Sequence, residues 1–287
     1  MPVLIRDSVE INYVDTGMPS GRRDADTVFF GHGLLFGSWM FRAQIATLSR
    51  EYRCVAIDWR GQAASSPSGD GYDMERLAQD AMALMRHLRI SPVHYVGLSM
   101  GGFVGMRIAA RSPELVRSLV LLDTSARAEE PGERRRKKLM AHVYRFSGLR
   151  FLRRPVAAMM FGHTFLADPN SEALLTEWNQ RLGSCQRSAV SHAVRAVADR
   201  APIADEIRDI RVPTLVVVGA DDAATTPEEA AEIAGSIEGA RLEQIPECGH
   251  SSVLEQPERV TRVLAEFLER HTDDVHEASD VVQLRTH

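Results

Sequence analysis

The sequence predicts an α/β protein with a mostly parallel central sheet that helices cover on both faces. Three observations lead to this fold class. Short apolar segments alternate along most of the chain with segments of helical period. Most of these short segments are apolar throughout, which is typical of strands buried on both faces of a parallel sheet. The first two strands are joined by a tight turn, so we expect antiparallel pairing at one edge of the sheet.

Eight strands are predicted. The opening pair comprises residues 3–6 and 10–15, with a turn at Asp7-Ser8 between them, and a polar loop of residues 18–26 follows it. The remaining six lie in the alternating part of the chain, and they comprise residues 27–30, 53–57, 93–97, 115–122, 213–219 and 242–245.

Five helices are predicted within this alternating pattern. They comprise residues 41–48, about four turns after residue 72, the segment from Met100 to Arg111, a helix that begins at Thr226, and residues 257–270. The second has an apolar face at helical spacing, formed by Leu77, Ala81, Leu84, Met85 and Leu88. The fourth begins with a capping pattern, because Thr226 is followed by Pro227 at the first helical position and by Glu229 three residues after the cap.

Residues 126–201 interrupt the alternation. This segment has no strong strand pattern, and it opens with a charged stretch, residues 129–138, that we interpret as a solvated helix face. Further helices with leucine, methionine and aromatic residues follow. We therefore predict a helical insertion between two parts of one core domain, residues 1–125 and 202–270. Residues 271–287 are polar and acidic, and we predict a disordered tail there.

Composition and charge argue against several classes of function. The net charge of -5 gives no basic surface for nucleic acid. No apolar stretch approaches the ~18 residues of a membrane-spanning helix, and no signal-peptide core follows Met1, so we expect no membrane insertion. Cys54, Cys185 and Cys248 are too widely spaced for a disulfide framework or a C-x-x-C metal site. We expect a cytoplasmic protein, because this cysteine usage suits a reducing compartment.

The strongest functional motif is Gly-Leu-Ser-Met-Gly at residues 97–101, between a predicted strand and a predicted helix. In this G-x-S-x-G pattern a sharp turn exposes the serine hydroxyl, here that of Ser99. The backbone N–H of Met100 would point to the same volume from the positive end of a helix, where it favours a developing oxyanion. The alternative is a glycine-rich turn in which Ser99 is only the helix N-cap. Other residues of the chain are needed to distinguish a nucleophilic serine from a helix N-cap.

A nucleophilic serine needs a base within hydrogen-bonding distance, and that base needs an orienting carboxylate. Of the ten histidines, His250 stands in a tight loop directly after the last core strand. The carboxyl ends of parallel strands meet at one edge of the sheet, so we expect His250 and Ser99 on the same side. The acid is expected at that edge too, where Asp221 and Asp222 follow the strand of residues 213–219. Position alone does not choose between the two aspartates.

The order Ser99, Asp222, His250 on alternating strands and helices resembles the α/β-hydrolase superfamily. The resemblance runs from about residue 27 to residue 270 outside the insertion, which stands where such enzymes carry a lid. In the family motif the acid follows three residues after a glycine that ends a strand, here Gly219. The resemblance therefore implies the α/β-hydrolase fold and a triad of Ser99, Asp222 and His250, with Asp221 as a turn residue.

The His32-Gly33 pair resembles the family's oxyanion-hole loop. It implies that the backbone N–H groups of Leu34 and Met100 form the oxyanion hole and that His32 is structural. One departure from the family is Ala63, because relatives commonly have glycine there. If this position needs a positive φ, Ala63 costs about 1 kcal/mol.

Three longer segments resemble one branch of the superfamily, the 3-oxoadipate enol-lactonases, small esterases and cofactor-free haloperoxidases. These segments are Gly-Leu-Ser-Met-Gly-Gly, Pro-Thr-Leu-Val-Val-Val-Gly and Cys-Gly-His-Ser-Ser-Val-Leu-Glu-Gln-Pro. The resemblance implies a serine esterase or lactonase that cleaves a small, largely apolar ester or lactone through an acyl-enzyme. It implies no cofactor and no metal.

Three alternatives remain open, and a fourth is disfavoured. The same fold supports perhydrolase or haloperoxidase action, C–C bond hydrolysis and cofactor-free dioxygenation, and the loop of residues 59–62 is similar to one in the dioxygenases. In some relatives the acid follows an earlier strand, where Asp123 stands. A ligand receptor that retains the triad is a non-enzymatic alternative. A dinucleotide site at Gly31-x-Gly33 is disfavoured, because the third glycine position of that motif holds Phe36.

Overall fold

The computed structural model of the protein describes the backbone of residues 1–283 and the side chains of residues 1–272. Within them, eight strands form one sheet, and they are β1 (Val3–Arg6), β2 (Val9–Asp15), β3 (Thr27–Gly31), β4 (Arg53–Ile57), β5 (Val93–Leu98), β6 (Val116–Leu122), β7 (Thr214–Gly219) and β8 (Arg241–Ile245). Their order across the sheet is β1-β2-β4-β3-β5-β6-β7-β8. β2 pairs antiparallel with both β1 and β4, and all the other pairs are parallel. The predicted fold class is confirmed, including the antiparallel edge.

The α-helices of this part of the chain are α1 (Arg42–Leu48), α2 (Met74–Leu88), α3 (Met100–Arg111), α4 (Pro131–Ser147), α5 (Arg153–Met160), α6 (His163–Ala167), α7 (Glu172–Ser184), α8 (Arg187–Ala198), α9 (Pro227–Ser236), α10 (Ser252–Glu255) and α11 (Pro257–Gln283). The segment between β6 and β7 contains α4 to α8 and no strand. The capping pattern predicted for α9 is present, with Thr226 and Glu229 forming a capping box.

Helix α11 is longer than the sequence analysis predicts. The prediction ends it at residue 270 and expects disorder from 271 to 287, whereas the helix continues to Gln283. No glycine or proline follows Arg270 to end the helix. Thr272 also joins this segment to the core, since its hydroxyl donates to the Leu268 carbonyl and lies 3.3 Å from His94 Nε2. Residues 284–287 of the predicted tail lie outside the described residues.

The two faces of the sheet build two hydrophobic layers. Alternate residues of one strand face opposite layers, so Phe29 packs with α2 and α3 while Phe30 packs against α1 and α11. Every residue of β3, β5 and β7 is buried, which explains why most residues of these segments are apolar. No helix within residues 1–283 is long and apolar enough to cross a membrane.

Ala63 does adopt the left-handed backbone conformation, with a φ of 48°. We expect Ala63→Gly to raise the free energy of unfolding by up to about 1 kcal/mol, because glycine removes the steric cost of the Cβ in this region. Chemical denaturation of the two proteins measures the difference. Ala64→Gly is the matched control, since Ala64 is exposed and has no positive φ. There we expect a small loss of stability from the added freedom of the unfolded chain. Equal effects of the two substitutions would contradict the expectation.

Candidate active site

Ser99 occupies the sharp turn between β5 and α3. Its backbone has φ 51° and ψ -111°, a region that non-glycine residues rarely adopt. Two hydrogen bonds hold this geometry: Ser99 N–H donates to the Leu122 carbonyl (2.9 Å), and the Thr124 hydroxyl donates to the Ser99 carbonyl (2.8 Å). The strained turn is thus fixed to the end of β6 and to the residues that follow it.

The glycines of the turn are required by close packing. A Cβ at Gly97 would contact the Gly101 carbonyl, and a Cβ at Gly101 would contact the Gly31 carbonyl of β3. The N-terminus of α3 therefore lies directly against two strands of the sheet. Glycine at these two positions of the G-x-S-x-G pattern allows α3 to pack this closely. The Ser99 side chain then lies at the end of the sheet.

His250 links Ser99 to Asp222. The Ser99 hydroxyl lies 2.9 Å from His250 Nε2, and His250 Nδ1 lies 2.8 Å from Asp222 Oδ2. With the ring proton on Nδ1, the hydroxyl donates to Nε2 and the Nδ1–H group donates to the carboxylate. All three residues are at least nine-tenths buried. The structure thus brings the three predicted residues into the arrangement that activates a serine.

The turn after β7 selects one of the two adjacent aspartates. Asp222 Oδ1 accepts hydrogen bonds from the backbone N–H groups of Ala224 (2.8 Å) and Thr225 (3.0 Å), and Oδ2 accepts one from the Thr225 hydroxyl (2.9 Å). Asp221 instead places its carboxylate 3.5 Å from the exposed His163. Asp222 therefore meets the His250 ring, and Asp221 lies beside the insertion. Thr225 has no motif that could have identified it in the sequence.

The environment of His250 raises its pKa above the ordinary value of 6.5. Burial alone lowers the pKa, because it disfavours the charged ring. The negative charge of Asp222 and the hydrogen bond to it outweigh that effect, and Asp123 adds to it, while the nearby Lys137 opposes it. The His250 ring is therefore neutral above its pKa, and the nearby Asp222 stabilises the positive charge that the ring gains when it takes a proton.

Glu255 holds the loop that carries His250. Its Oε2 accepts hydrogen bonds from the N–H groups of Gly249 (2.9 Å) and Gly162 (2.9 Å), and its Oε1 accepts one from Ser251 N–H (3.0 Å). The carboxylate therefore fixes the residues on both sides of His250 and ties them to the insertion. The sequence analysis did not single out Glu255, because its partners are backbone groups that only the folded loop assembles.

Two backbone N–H groups close to Ser99 have no internal partner. Among residues 1–272 the N–H groups of Leu34, which lines the same cavity as Ser99, and of Met100, the first residue of α3, have no acceptor. The loop before Leu34 is held by His32, whose Nε2 accepts a hydrogen bond from Trp59 N–H (3.0 Å) and whose Nδ1 lies 2.7 Å from the Gly33 carbonyl. His32 thus contacts backbone groups and not Ser99, as expected for a structural residue.

Asp123 is buried close to the same site without touching His250. Its Oδ1 accepts a hydrogen bond from Gly219 N–H (2.9 Å), and its Oδ2 accepts one from Ser252 N–H (3.2 Å). Burial, together with the nearby Asp222 charge, raises the pKa of Asp123 to about 8. Its position after β6 is the one that the sequence analysis left open for the acid, but the carboxyl bridges two backbone segments instead.

A cavity of about 80 Å³ lies beside Ser99 and His250 and is partly open to solvent. The insertion supplies most of its wall, from α4, α5, α7, α8 and the loops beside them. The side chains are mainly apolar, and they include Met140, Leu149, Leu152, Val156, Met159 and Val194. Tyr144 and Val156 line the cavity and are also buried in the core of the insertion. The insertion's apolar residues therefore serve both as its core and as the wall of the site.

The charged stretch at the start of the insertion differs from the prediction at two residues, Glu129 and Lys137, whose side chains are largely buried. Lys138 is half-buried and pairs with Asp199 (2.7 Å). Lys137 is only 15% exposed and lines the cavity. Residues of this helix that are one position apart face directions about 100° apart, so one lysine faces the solvent and its neighbour faces the site.

The two glycines of the Gly31-x-Gly33 pattern are closely surrounded by other residues. A Cβ at Gly31 would meet Tyr95 Oη at 2.7 Å, and one at Gly33 would meet Leu98 Cδ2 at 2.9 Å. These glycines accommodate the packing of β3 and leave no space there for a pyrophosphate. Among the side chains of residues 1–272, no group of three His, Cys, Asp or Glu residues is placed to hold a metal ion.

Comparison with known proteins gives a consistent result. A family model described as alpha/beta hydrolase fold matches residues 26–257. The chain is 27% identical over 267 residues to 3-oxoadipate enol-lactonase 2 of Acinetobacter baylyi, which covers 93% of this chain and 96% of the relative. It is 29% identical over 279 residues to a non-heme haloperoxidase of Rhodococcus erythropolis, with 93% and 98% covered.

Solved structures give the same picture. The enol-lactonase from Burkholderia xenovorans LB400 superposes with a TM-score of 0.85 at 26% identity, over 93% of this chain and all of that one. A thermophilic esterase from Thermogutta terrifontis, solved with malate bound, superposes with a TM-score of 0.83 at 29% identity, over 92% and 94% of the two chains. These similarities confirm the resemblance on which the sequence analysis relied.

Proposed function

From the premise that this chain belongs to the alpha/beta hydrolase family, we propose that it is a serine hydrolase. Its substrate would be a small, largely apolar carboxylic ester or lactone, cleaved through an acyl-enzyme intermediate. One observation carries the proposal: the continuous contact from Ser99 Oγ through His250 to Asp222, at 2.9 and 2.8 Å, in the wall of an apolar cavity. The enol-lactonase and esterase names of similar proteins support the same class of reaction.

In the proposed mechanism, Ser99 Oγ attacks the carbonyl carbon while His250 Nε2 takes the hydroxyl proton. Asp222 stabilises the imidazolium, and the N–H groups of Leu34 and Met100 donate to the oxyanion. The C–O bond to the leaving group then breaks, and His250 gives its proton to the leaving oxygen. Water, deprotonated by His250, attacks the acyl-enzyme and releases the carboxylic acid and free Ser99.

The non-heme haloperoxidase name of one relative favours a second candidate. Hydrogen peroxide could replace water in the last step, so that the acyl-enzyme releases a peracid and His250 returns the proton to Ser99. Both candidates share the acyl-enzyme and differ only in the acceptor. Peracid formation from an ester and peroxide, measured beside hydrolysis of the same ester, distinguishes them.

The test is a hydrolysis screen of p-nitrophenyl esters of increasing acyl length beside several lactones, combined with labelling by a fluorophosphonate. We expect turnover of at least one ester or lactone series, and mass spectrometry of the labelled protein should locate the adduct on Ser99. A protein that reacts with neither the esters and lactones nor the fluorophosphonate would contradict the proposal and favour the receptor or dioxygenase alternatives.

The raised pKa of His250 predicts the pH dependence of the reaction. The ring must be neutral to accept the Ser99 proton, so kcat/KM should be low at acid pH and rise as the pH passes the pKa, with a midpoint above 6.5. Asp222→Asn removes the charge that raises this pKa, and the midpoint should move to lower pH. Initial rates between about pH 5 and pH 9, corrected for spontaneous hydrolysis, give both midpoints. A midpoint that stays in place in the variant would contradict the assignment of Asp222.

A further inference from the structure

The apolar cavity beside Ser99 has one charged end. Lys137 of α4 and Arg200, two residues after α8, both line it, and no aspartate or glutamate of the described residues does so. Both cations are largely buried, with side chains 15% and 5% exposed. The wall of the cavity is therefore apolar except for two positive charges, the side chains of Tyr144 and Thr225, and the proposed catalytic residues Ser99 and His250.

A single carboxylate compensates these two cations. Glu129 Oε2 lies 2.6 Å from Lys137 Nζ and 2.7 Å from an Arg200 guanidinium nitrogen. Burial alone would raise the pKa of Glu129, but the hydrogen bonds and charges of Lys137 and Arg200 outweigh it and lower the pKa. The three side chains together carry one net positive charge. An ammonium group has three donors, and within residues 1–272 those of Lys137 have one acceptor, Glu129.

The cationic end lies close to the proposed nucleophile. The Arg200 guanidinium stacks 4.4 Å from the centre of the Phe103 ring. Phe103 lies one helical turn after Ser99, because the Phe103 N–H donates to the Ser99 carbonyl. The charge of Lys137 also acts on His250, where it opposes protonation of the ring. The two cations are thus close enough to Ser99 and His250 for their charges to act on the groups that become charged in the reaction.

Helices α4 and α8 place the two cations at the same end of the cavity. Arg187 donates to the Phe146 carbonyl and Ser191 donates to the Ala141 carbonyl, so the two helices run antiparallel. The start of α4 therefore meets the end of α8, where Glu129 joins Lys137 to Arg200. The residues after α4 that line the cavity, Leu149 and Leu152, are apolar. The cavity has a cationic end and an apolar end.

We propose that the cationic end is a subsite for a carboxylate of the substrate, so that the preferred ester or lactone is an apolar chain that carries an anionic group. A net positive charge buried in apolar surroundings is unfavourable unless an anion complements it, and Lys137 retains donors to bind one. This inference rests on the proposed serine hydrolase function, and it refines the expectation of a largely apolar substrate.

The test compares two p-nitrophenyl esters that differ only in the terminal group. One is the half-ester of adipic, pimelic or suberic acid, with a free carboxylate, and the other carries a carboxamide in its place. We expect kcat/KM to be about tenfold to a hundredfold higher for the carboxylate, the range for a hydrogen bond to a charged group. The difference should lie mainly in KM, because the contact is made away from the reacting carbonyl.

The chain supplies a matched control, because its two lysines are adjacent. Lys137→Met should abolish most of the preference for the carboxylate, and Lys137→Arg should retain it. Lys138→Met removes the same charge from the solvent side of α4, and the ratio of the two kcat/KM values should stay as in the unchanged protein. Lys137→Arg keeps the proposal testable even if the methionine variant does not fold.

Binding separates this proposal from the proposed function. In Ser99→Ala, calorimetry should find the carboxylate ester at least about tenfold tighter than the carboxamide, whether or not the unchanged protein turns either ester over. Equal affinities, or a preference that survives Lys137→Met, would overturn the subsite. Absence of Ser99-dependent turnover together with a clear difference in affinity would overturn the hydrolase function and leave the anionic subsite standing.

Discussion

Replacement of Ser99 by alanine should lower kcat for any ester or lactone that the protein cleaves by about 10⁴-fold or more. This corresponds to roughly 5.5 kcal/mol of transition-state stabilisation. Among the side chains of residues 1–272, no other hydroxyl is hydrogen-bonded to His250 Nε2, so nothing in that part of the chain replaces the nucleophile. The residual rate would come from binding and from the two unpaired backbone N–H groups. Steady-state rates of the purified variant and of the unchanged protein give the ratio.

The fold should survive this substitution. The Ser99 side chain makes one described hydrogen bond, to His250, while the turn is held by backbone groups and by Thr124. Circular dichroism and a thermal denaturation curve serve as the control for folding. We also expect the fluorophosphonate to label the unchanged protein and not the variant. A variant that keeps a tenth of the activity, or that is still labelled, would show that another residue is the nucleophile.

The second large effect is expected at the acid. Asp222→Asn should lower kcat by about 10³-fold to 10⁴-fold, because an amide cannot stabilise the imidazolium and holds the ring in the wrong tautomer. Asp123→Asn should lower kcat by less than about tenfold, because this carboxyl contacts backbone N–H groups and not His250. The two substitutions make the same chemical change at two buried aspartates of one site. Rates for both variants with one ester at neutral pH are the measurement.

Asp123→Asn should instead affect stability. One amide oxygen can replace the acceptor for Gly219 N–H, but the amide NH₂ group would then face the N–H of Ser252, and two donors repel. We expect a loss of about 1 to 3 kcal/mol in the free energy of unfolding, the cost of an unsatisfied buried donor. A larger loss of activity in Asp123→Asn than in Asp222→Asn would reverse the assignment of the acid.

Much of the site could be predicted from the sequence because its signals are local. The Ser99 turn requires residues without a Cβ two positions before and after it, and the sequence has glycine at both. His250 stands out because it follows the last strand, and parallel strands end at one edge. Even the conformation of Ala63 could be anticipated, from a glycine that relatives commonly have at that place. For the Ser99 turn, neighbouring residues in the chain determine the backbone, whereas the expectation for Ala63 comes from the resemblance to relatives.

Other parts were decided by contacts between distant residues. Asp221 and Asp222 are equivalent by position, and the turn after β7 determines which carboxylate reaches the His250 ring. The same holds for Glu255, whose backbone partners come from two separate loops. Helix α11 continues past the predicted end at residue 270, where Thr272 meets the core. Sequence periodicity does not predict contacts between residues that lie far apart in the chain.

The sequence by itself determined the fold class, the place of the Ser99 turn and the loops that carry the histidine and the acid, since these depend on short-range periodicity and steric limits. Only the tertiary structure decided which charges meet in the cavity. Lys137 was interpreted as part of a solvated charged stretch, and Arg200 is 71 residues from Glu129. They meet because α4 and α8 pack antiparallel, and the side on which a helical side chain falls depends on what that helix packs against.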